Sequence, residues 1–269
     1  MKRKVVLITG GSSGIGKSIG QYLISKGFMV YGTTRSLKKH PDFKDFTLLE
    51  LDVKDTASIN HAVKSVIEQE GRLDVLVNNA GVGITGPIEE TPREEIENGF
   101  AINFNGPIEV MKAVLPQMRK QQNGLIINIT SIAGYMGLPY RGIYSATKGA
   151  LGIVTEALRM EVKNFGVHIT NLAPGDFATN IAAGRYHAPV LKNSAYKKAY
   201  HNTLKQINEG VSDGEDPILV AKKVLEIIST AKPKVHYKVG TTMQRFSLFL
   251  KAALPDKVYE KLLLNHYKL

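Results

Sequence analysis

A doubly wound α/β fold, with one parallel sheet between two layers of helices, is predicted by three features of the 269-residue sequence. Short β-branched runs alternate with longer helical patterns, the order left by successive strand–helix–strand units. The runs are continuously apolar, as strands covered on both faces must be. A glycine-rich segment, Thr9-Gly10-Gly11-Ser12-Ser13-Gly14-Ile15-Gly16, falls between the first strand and the first helix.

In chain order, Lys4 to Thr9 reads as a strand, Ile15 to Lys26 as a helix and Phe28 to Thr33 as a second strand. Phe46 to Leu51, Leu73 to Asn78 and Leu125 to Thr130 are compact apolar runs of the same kind, and Val167 to Leu172 and Val235 to Val239 raise the total to six or seven. Thr91-Pro92-Arg93-Glu94 combines a capping hydroxyl, a proline for the first helical position and a glutamate three residues past the cap. Asp216-Pro217 repeats the cap-plus-proline device, and residues 142–164 form the longest helical stretch. No repeat, low-complexity tract or linker divides the chain. One three-layer α/β/α domain is expected over 1–240, with a helical extension of it at 241–269.

Composition narrows the function. The apolar run after the basic start stops at Thr9-Gly10, too short for a signal peptide's core, and no stretch reaches the ~18 apolar residues of a membrane span. With no cysteine, disulfides, thiolate metal sites and cysteine nucleophiles are excluded, and the cytoplasm is the simplest location. Seven scattered histidines match no metal-ligand spacing, so no metal is expected. The formal net charge of +11 favours polyanionic partners. Its short basic clusters lack the interleaved aromatics of a single-strand platform, so nucleic acid is not an expected partner.

The glycine-rich segment sits where a doubly wound sheet aims backbone amides at a pyrophosphate, the Rossmann arrangement. Gly10 serves the tight turn, Gly14 the close approach of backbone to phosphate and Gly16 the packing of helix on strand, with Ser12, Ser13 and Ile15 completing the cradle. After the second strand an acidic residue would bind a ribose 2′-hydroxyl. Here Thr33-Thr34-Arg35-Ser36 stands instead, and the Arg35 guanidinium suits a 2′-phosphate, so NADP(H) is preferred over NAD(H).

Tyr144 and Lys148 lie four apart on one helix face. A phenol has a reference pKa of about 10, too high for ready base catalysis, and a neighbouring ammonium favours the phenolate. Ser131, at the carboxyl end of the strand 125–130, stands on the edge where open α/β sheets bind ligands, and its hydroxyl suits a substrate oxygen. Asn103 and Asn105 lie in a helical, apolar stretch where asparagine needs a hydrogen-bonding reason. Local sequence does not choose between them.

The glycine loop, Asn78-Asn79-Ala80-Gly81 and Tyr144-Ser145-Ala146-Thr147-Lys148 resemble the classical short-chain dehydrogenase/reductase family, over nearly the whole chain from Val5 to about Val239. The resemblance implies that Ser12 and Arg35 hold the 2′-phosphate, Asp52 and Val53 the adenine, Asn79, Ala80 and Gly81 the cofactor's middle, and Pro174, Gly175 and Thr179 the nicotinamide half. It gives Ser131 the substrate oxygen, Tyr144 and Lys148 the proton transfer, and Asn103 a water linking the lysine to solvent. The expected reaction is hydride transfer between nicotinamide and a secondary alcohol, ketone or aldehyde.

Residues 83–87, 137–139 and 174–179 look most like the steroid- and retinol-dehydrogenase branch, and Tyr135, Met136, Leu138 and Pro139 are expected near the substrate oxygen. Both suggest a bulky apolar substrate, with 176–213 as a lid over it. A homodimer or homotetramer is expected. The apolar stripe and lysines of 243–269 fit packing on the protein's own body or on a twin subunit, with a membrane-surface helix or a flap as further readings. The competing function is a non-catalytic dinucleotide sensor or scaffold on the same fold, which predicts a broken catalytic set.

Overall fold

A computed structural model describes residues 3–177, 184–212 and 214–269. Its central sheet is built from β1 (Val5–Ile8), β2 (Met29–Thr34), β3 (Thr47–Glu50), β4 (Val75–Asn78), β6 (Gly124–Ile129), β7 (Val167–Pro174) and β9 (His236–Val239). These seven strands are parallel in the order β3-β2-β1-β4-β6-β7-β9, so the winding reverses between β1 and β4. Strands of β-branched residues alternate their side chains, and β1 shows the result. Val5 and Leu7 enter one core with helices α2 (Thr56–Glu70), α4 (Gly106–Gln121) and α5 (Gly142–Glu161). Val6 and Ile8 enter the other with α1 (Gly14–Ser25) and α7 (Ile218–Ser229). This is the three-layer, single-domain arrangement expected from the sequence, and it puts the carboxyl ends of β1 and β4 beside a crevice.

A second, two-stranded sheet pairs β5 (Ile84–Thr85) with β8 (Tyr186–His187) in parallel. Periodicity gives no signal for strands of two residues. Of the segment expected as a lid, residues 178–183 and 213 lie outside the described residues; after β8, Lys197–Ser212 form helix α6. Tyr200 on α6 is buried and donates from its hydroxyl to the carbonyls of Thr85 (3.1 Å) and Ala188 (3.0 Å), which fastens the segment to β5.

Helix α3 (Arg93–Phe100) begins one residue later than its sequence signal predicts. The Thr91 hydroxyl does not cap it, but donates backward to the Pro87 carbonyl at 2.7 Å. The Asp216 signal is met, since Oδ1 accepts from the Ile218 amide at 2.8 Å. The tail folds as two helices, α8 (Thr242–Ala253) and α9 (Asp256–Tyr267), the first opened by a reciprocal cap between Thr241 and Gln244. Among the described residues no helix is long and apolar enough to cross a membrane.

Candidate active site

A cleft of about 590 Å³ opens at the carboxyl ends of the strands. At one end stand Gly10, Ser12, Ser13, Gly14 and Ile15, followed by Arg35, then Asp52 and Val53. Asn79, Ala80 and Gly81 line its middle, and Ser131, Tyr144, Lys148, Pro174 and Gly175 its far end. Gly16 and Asn103 lie just beneath the surface of this arrangement, and Thr179 lies outside the described residues.

The first end is built to hold something that needs amide donors. Gly10 has φ +64, and a side chain there would come within 3.1 Å of the Ala80 backbone. A Cβ on Gly16 would collide with the Gly10 carbonyl and reach 2.6 Å from Asn79 Nδ2, so both loops close only over glycine. Asn79 ties them together: its Nδ2 donates to the Thr9 and Gly10 carbonyls at 3.0 and 3.2 Å, while the Thr9 hydroxyl accepts from the amides of Asn79 and Ala80. Ser13 precedes α1 yet makes no side-chain cap, leaving the amides of the first helical turn to the cleft. A pyrophosphate fits that cradle in size and charge. Lys39 and His40 line the cleft beside Arg35, so the end after β2 carries the Arg35 and Lys39 cations where a 2′-hydroxyl site needs a carboxylate.

The far end is set by α5 and the strand end before it. Lys148 is buried, and loss of water pushes its pKa down to about 8. Its Nζ donates to the Ile129 carbonyl at 2.9 Å. The Ser131 Oγ accepts from the Ala133 amide at 3.1 Å, which orients the hydroxyl and leaves its proton for another acceptor. Asn103 is fully buried within a π-helical turn, Ala101–Asn105, whereas Asn105 is exposed. Its amide grips both backbone groups of Val82, Oδ1 accepting from N and Nδ2 donating to O at 2.8 Å each, and Nδ2 also donates to Thr147 Oγ1. The extra residue of a π turn re-aims the helix locally, a device common near functional sites.

One expectation fails. Tyr135, Met136, Leu138 and Pro139 do not line the cleft. A 3-10 turn at Ile132–Tyr135 sends the chain away, so that Met136 packs under Tyr259 and Leu248 of the tail while the Tyr135 hydroxyl meets His236 Nδ1 at 3.1 Å; Leu138 alone returns to pack against Tyr144 and Ile84 from behind the wall. Val82, Ile84, Ile129 and Phe177 supply the apolar wall instead. Two residues without a distinctive motif join them. The Arg141 guanidinium stands 5.5 Å from the centre of the Tyr144 ring and 3.8 Å from Asp176. Arg185, buried against Gly83, has its pKa lowered by burial and then by Arg141, with Tyr144 and Asp176 opposing. Arg141 is signalled only by its position three residues before Tyr144; Arg185 carries no local signal.

Residues 4–189 match the family model described as short chain dehydrogenase, and the chain belongs to the short-chain dehydrogenase/reductase family. It is 38% identical over 261 residues to a 3-ketodihydrosphingosine reductase of Bacteroides thetaiotaomicron, covering 97% of this chain and 96% of the relative. It is 30% identical to an NADPH-dependent 3-dehydrocapnine reductase of Ornithobacterium rhinotracheale, covering 98% of each. Human 17-beta-hydroxysteroid dehydrogenase type 1 is 32% identical, with 95% of this chain and 82% of that one covered. Among solved structures, a short-chain dehydrogenase of Streptomyces avermitilis superposes with a TM-score of 0.83 at 31% identity, covering 99% and 97%. The chain is therefore an oxidoreductase fold of the nicotinamide-dinucleotide type, with steroid-dehydrogenase relatives.

Proposed function

We propose that this protein is an NADP(H)-dependent oxidoreductase interconverting a secondary alcohol and a ketone, with Tyr144 as proton donor and acceptor. The observation that carries the reading is the buried Lys148 one helical turn behind Tyr144, in the same cleft wall as Ser131. A nicotinamide dinucleotide held by the glycine loop, Asn79 and Arg35 would supply the hydride. Charge that develops on the carbonyl oxygen is met by a hydrogen bond from the Ser131 hydroxyl, and that oxygen takes the Tyr144 proton, leaving the phenolate. Lys148 keeps a cation beside the phenol, and Asn103 fixes the Val82 backbone that walls the site.

NADP(H) is favoured because Arg35, Lys39 and His40 surround the end after β2. Arg35→Ala is expected to raise the KM for NADPH by roughly 10- to 100-fold, the size of one hydrogen bond to a charged group, and to leave the KM for NADH unchanged. Steady-state oxidation of both nucleotides with one ketone reads this; equal losses with both would end the argument.

The substrate read from this wall is an amphipathic ketone. Val82, Ile84 and Phe177 receive an apolar body, while Arg141 and Arg185 offer donors to a polar group near the carbonyl. The keto and hydroxysteroid chemistry in the names of the relatives supports that class. A screen of NADPH oxidation across long-chain ketones, ketosteroids, retinal and sugars tests it, and preference for sugars would overturn it. Residues 184–212 are the covering segment over that substrate, fastened by Tyr200. Exposed Ile153 and Met160 on α5 suit a homo-oligomer.

A further inference from the structure

We infer that the α8–α9 hairpin is a docking surface for an anionic lipid bilayer, seated beside the substrate end of the cleft. The inner sides of both helices are spent on the protein: Leu248 and Tyr259 are buried with Ile132 and Met136. The outer sides stay apolar. Met243 (74% exposed), Phe246 (50%) and Phe249 (63%) follow one another at three-residue steps, which keeps them on one face of α8, and Phe246 stacks on Phe249. Val258 and Leu262, four apart on α9, are 48% and 44% exposed. A soluble surface has no use for five large apolar residues on one hairpin, and such patches mark contact with another phase or partner.

Charge selects the occupant. Residues 241–269 carry five basic residues against two acidic ones. Lys251 is neutralised by Asp256 at 2.9 Å, but Arg245, Lys257, Lys261 and Lys268 form no ion pair among the described residues. Lys257 and Lys261 precede Val258 and Leu262 by one residue each, so a basic strip borders the apolar one. This is the pattern of a helix lying in a bilayer interface, with aromatic and aliphatic side chains among the acyl chains and lysines at anionic headgroups. A second copy of the chain fits less well, because a two-fold contact lays these basic strips against each other.

The position gives the surface a use. From the inner side, Gln244 Nε2 donates to Asp176 at 3.0 Å, and the buried Tyr267 feels the charge of Arg141. Both partners line the cleft. A bilayer on the outer face therefore lies one helix away from the substrate wall, where a membrane-dissolved ligand can pass without crossing bulk water. The docking itself does not depend on the proposed reaction.

The test is flotation of the whole protein with mixed phosphatidylcholine/phosphatidylglycerol vesicles and with phosphatidylcholine alone, at low salt and at about 0.5 M NaCl, where exposed charges are screened within a few ångströms. Binding is expected to the anionic vesicles at low salt, and to fall about tenfold or more in high salt or with neutral vesicles. The pairs Phe246→Ser/Phe249→Ser and Lys257→Glu/Lys261→Glu should each lose it, with thermal melting unchanged because all four side chains are exposed. No flotation of the native protein, or flotation that both variant pairs retain, overturns the proposal. So does a drop in sedimentation coefficient in either variant, which would assign the face to a second copy. Retained flotation of Tyr144→Phe separates docking from catalysis.

Discussion

In Tyr144→Phe, ketone reduction is expected to fall by about 10²–10⁴-fold in kcat, the usual contribution of a positioned general acid, while NADPH still binds. The phenol is buried at the far end of the cleft, away from the glycine loop and Arg35, so its hydroxyl has no part in holding the nucleotide's phosphates. Removing one oxygen leaves the ring in its contacts with Ile84 and Ala133 and under the Arg141 guanidinium. Stopped-flow reduction and fluorescence titration of NADPH, run on the same preparation, separate the two effects. A variant that reduces ketones at the native rate would remove Tyr144 from the chemistry, whatever the fold. The non-catalytic reading requires a broken set of side chains, and Ser131, Tyr144 and Lys148 stand intact in one cleft.

Lys148→Met should lose activity and gain stability together. Burial holds the lysine's pKa near 8, below its ordinary 10.5. Between those values the unfolded chain binds more protons than the folded one, so the native protein's stability rises with pH across that window. Below pH 8 the penalty is present in full, about 3 kcal/mol for a shift of this size. Methionine removes it but orphans the Ile129 carbonyl that Nζ had satisfied, which costs back about 1 kcal/mol. The net expected gain at pH 7 is about 1–3 kcal/mol, and the part of the slope between pH 8 and 10.5 that Lys148 contributes should be missing. Urea melts at pH 7, 8, 9 and 10 check the stability, and equal slopes in the two proteins would show that Lys148 is not buried as a cation.

Such a trade, a buried charge kept at a stability cost, is what the proposed reaction requires of this lysine. Its position was legible because the signal is local: two residues four apart on a helix need no tertiary information. The glycine loop was legible for the same reason, as each glycine answers a backbone constraint set within its own turn. Strands buried on both faces announced themselves as continuous apolar runs, and β1, β2, β4, β6 and β7 match them to within a residue or two.

What stayed hidden depends on distant parts of the chain. Arg185 reaches the site because β8 pairs with β5, a contact between segments about a hundred residues apart made by strands of two residues each. Met136 lies away from the expected place because sequence gives the distance along the chain after Ser131 but not the direction in which a 3-10 turn releases it, whereas Leu138 still packs against Tyr144. Thr91 had the residue type of a cap, and the Pro87 carbonyl took its hydroxyl first. Asn103 and Asn105 were equivalent on paper, and only the π turn buries one while exposing the other.

A crystal structure of the protein with NADP⁺ and a ketone or alcohol is the most direct measurement. It should put the nicotinamide C4 and the substrate oxygen beside the Tyr144 hydroxyl, that oxygen also in hydrogen-bond reach of Ser131, and the 2′-phosphate against Arg35. A nicotinamide ring bound elsewhere, with the Tyr144 hydroxyl facing only protein, would contradict the proposed chemistry outright.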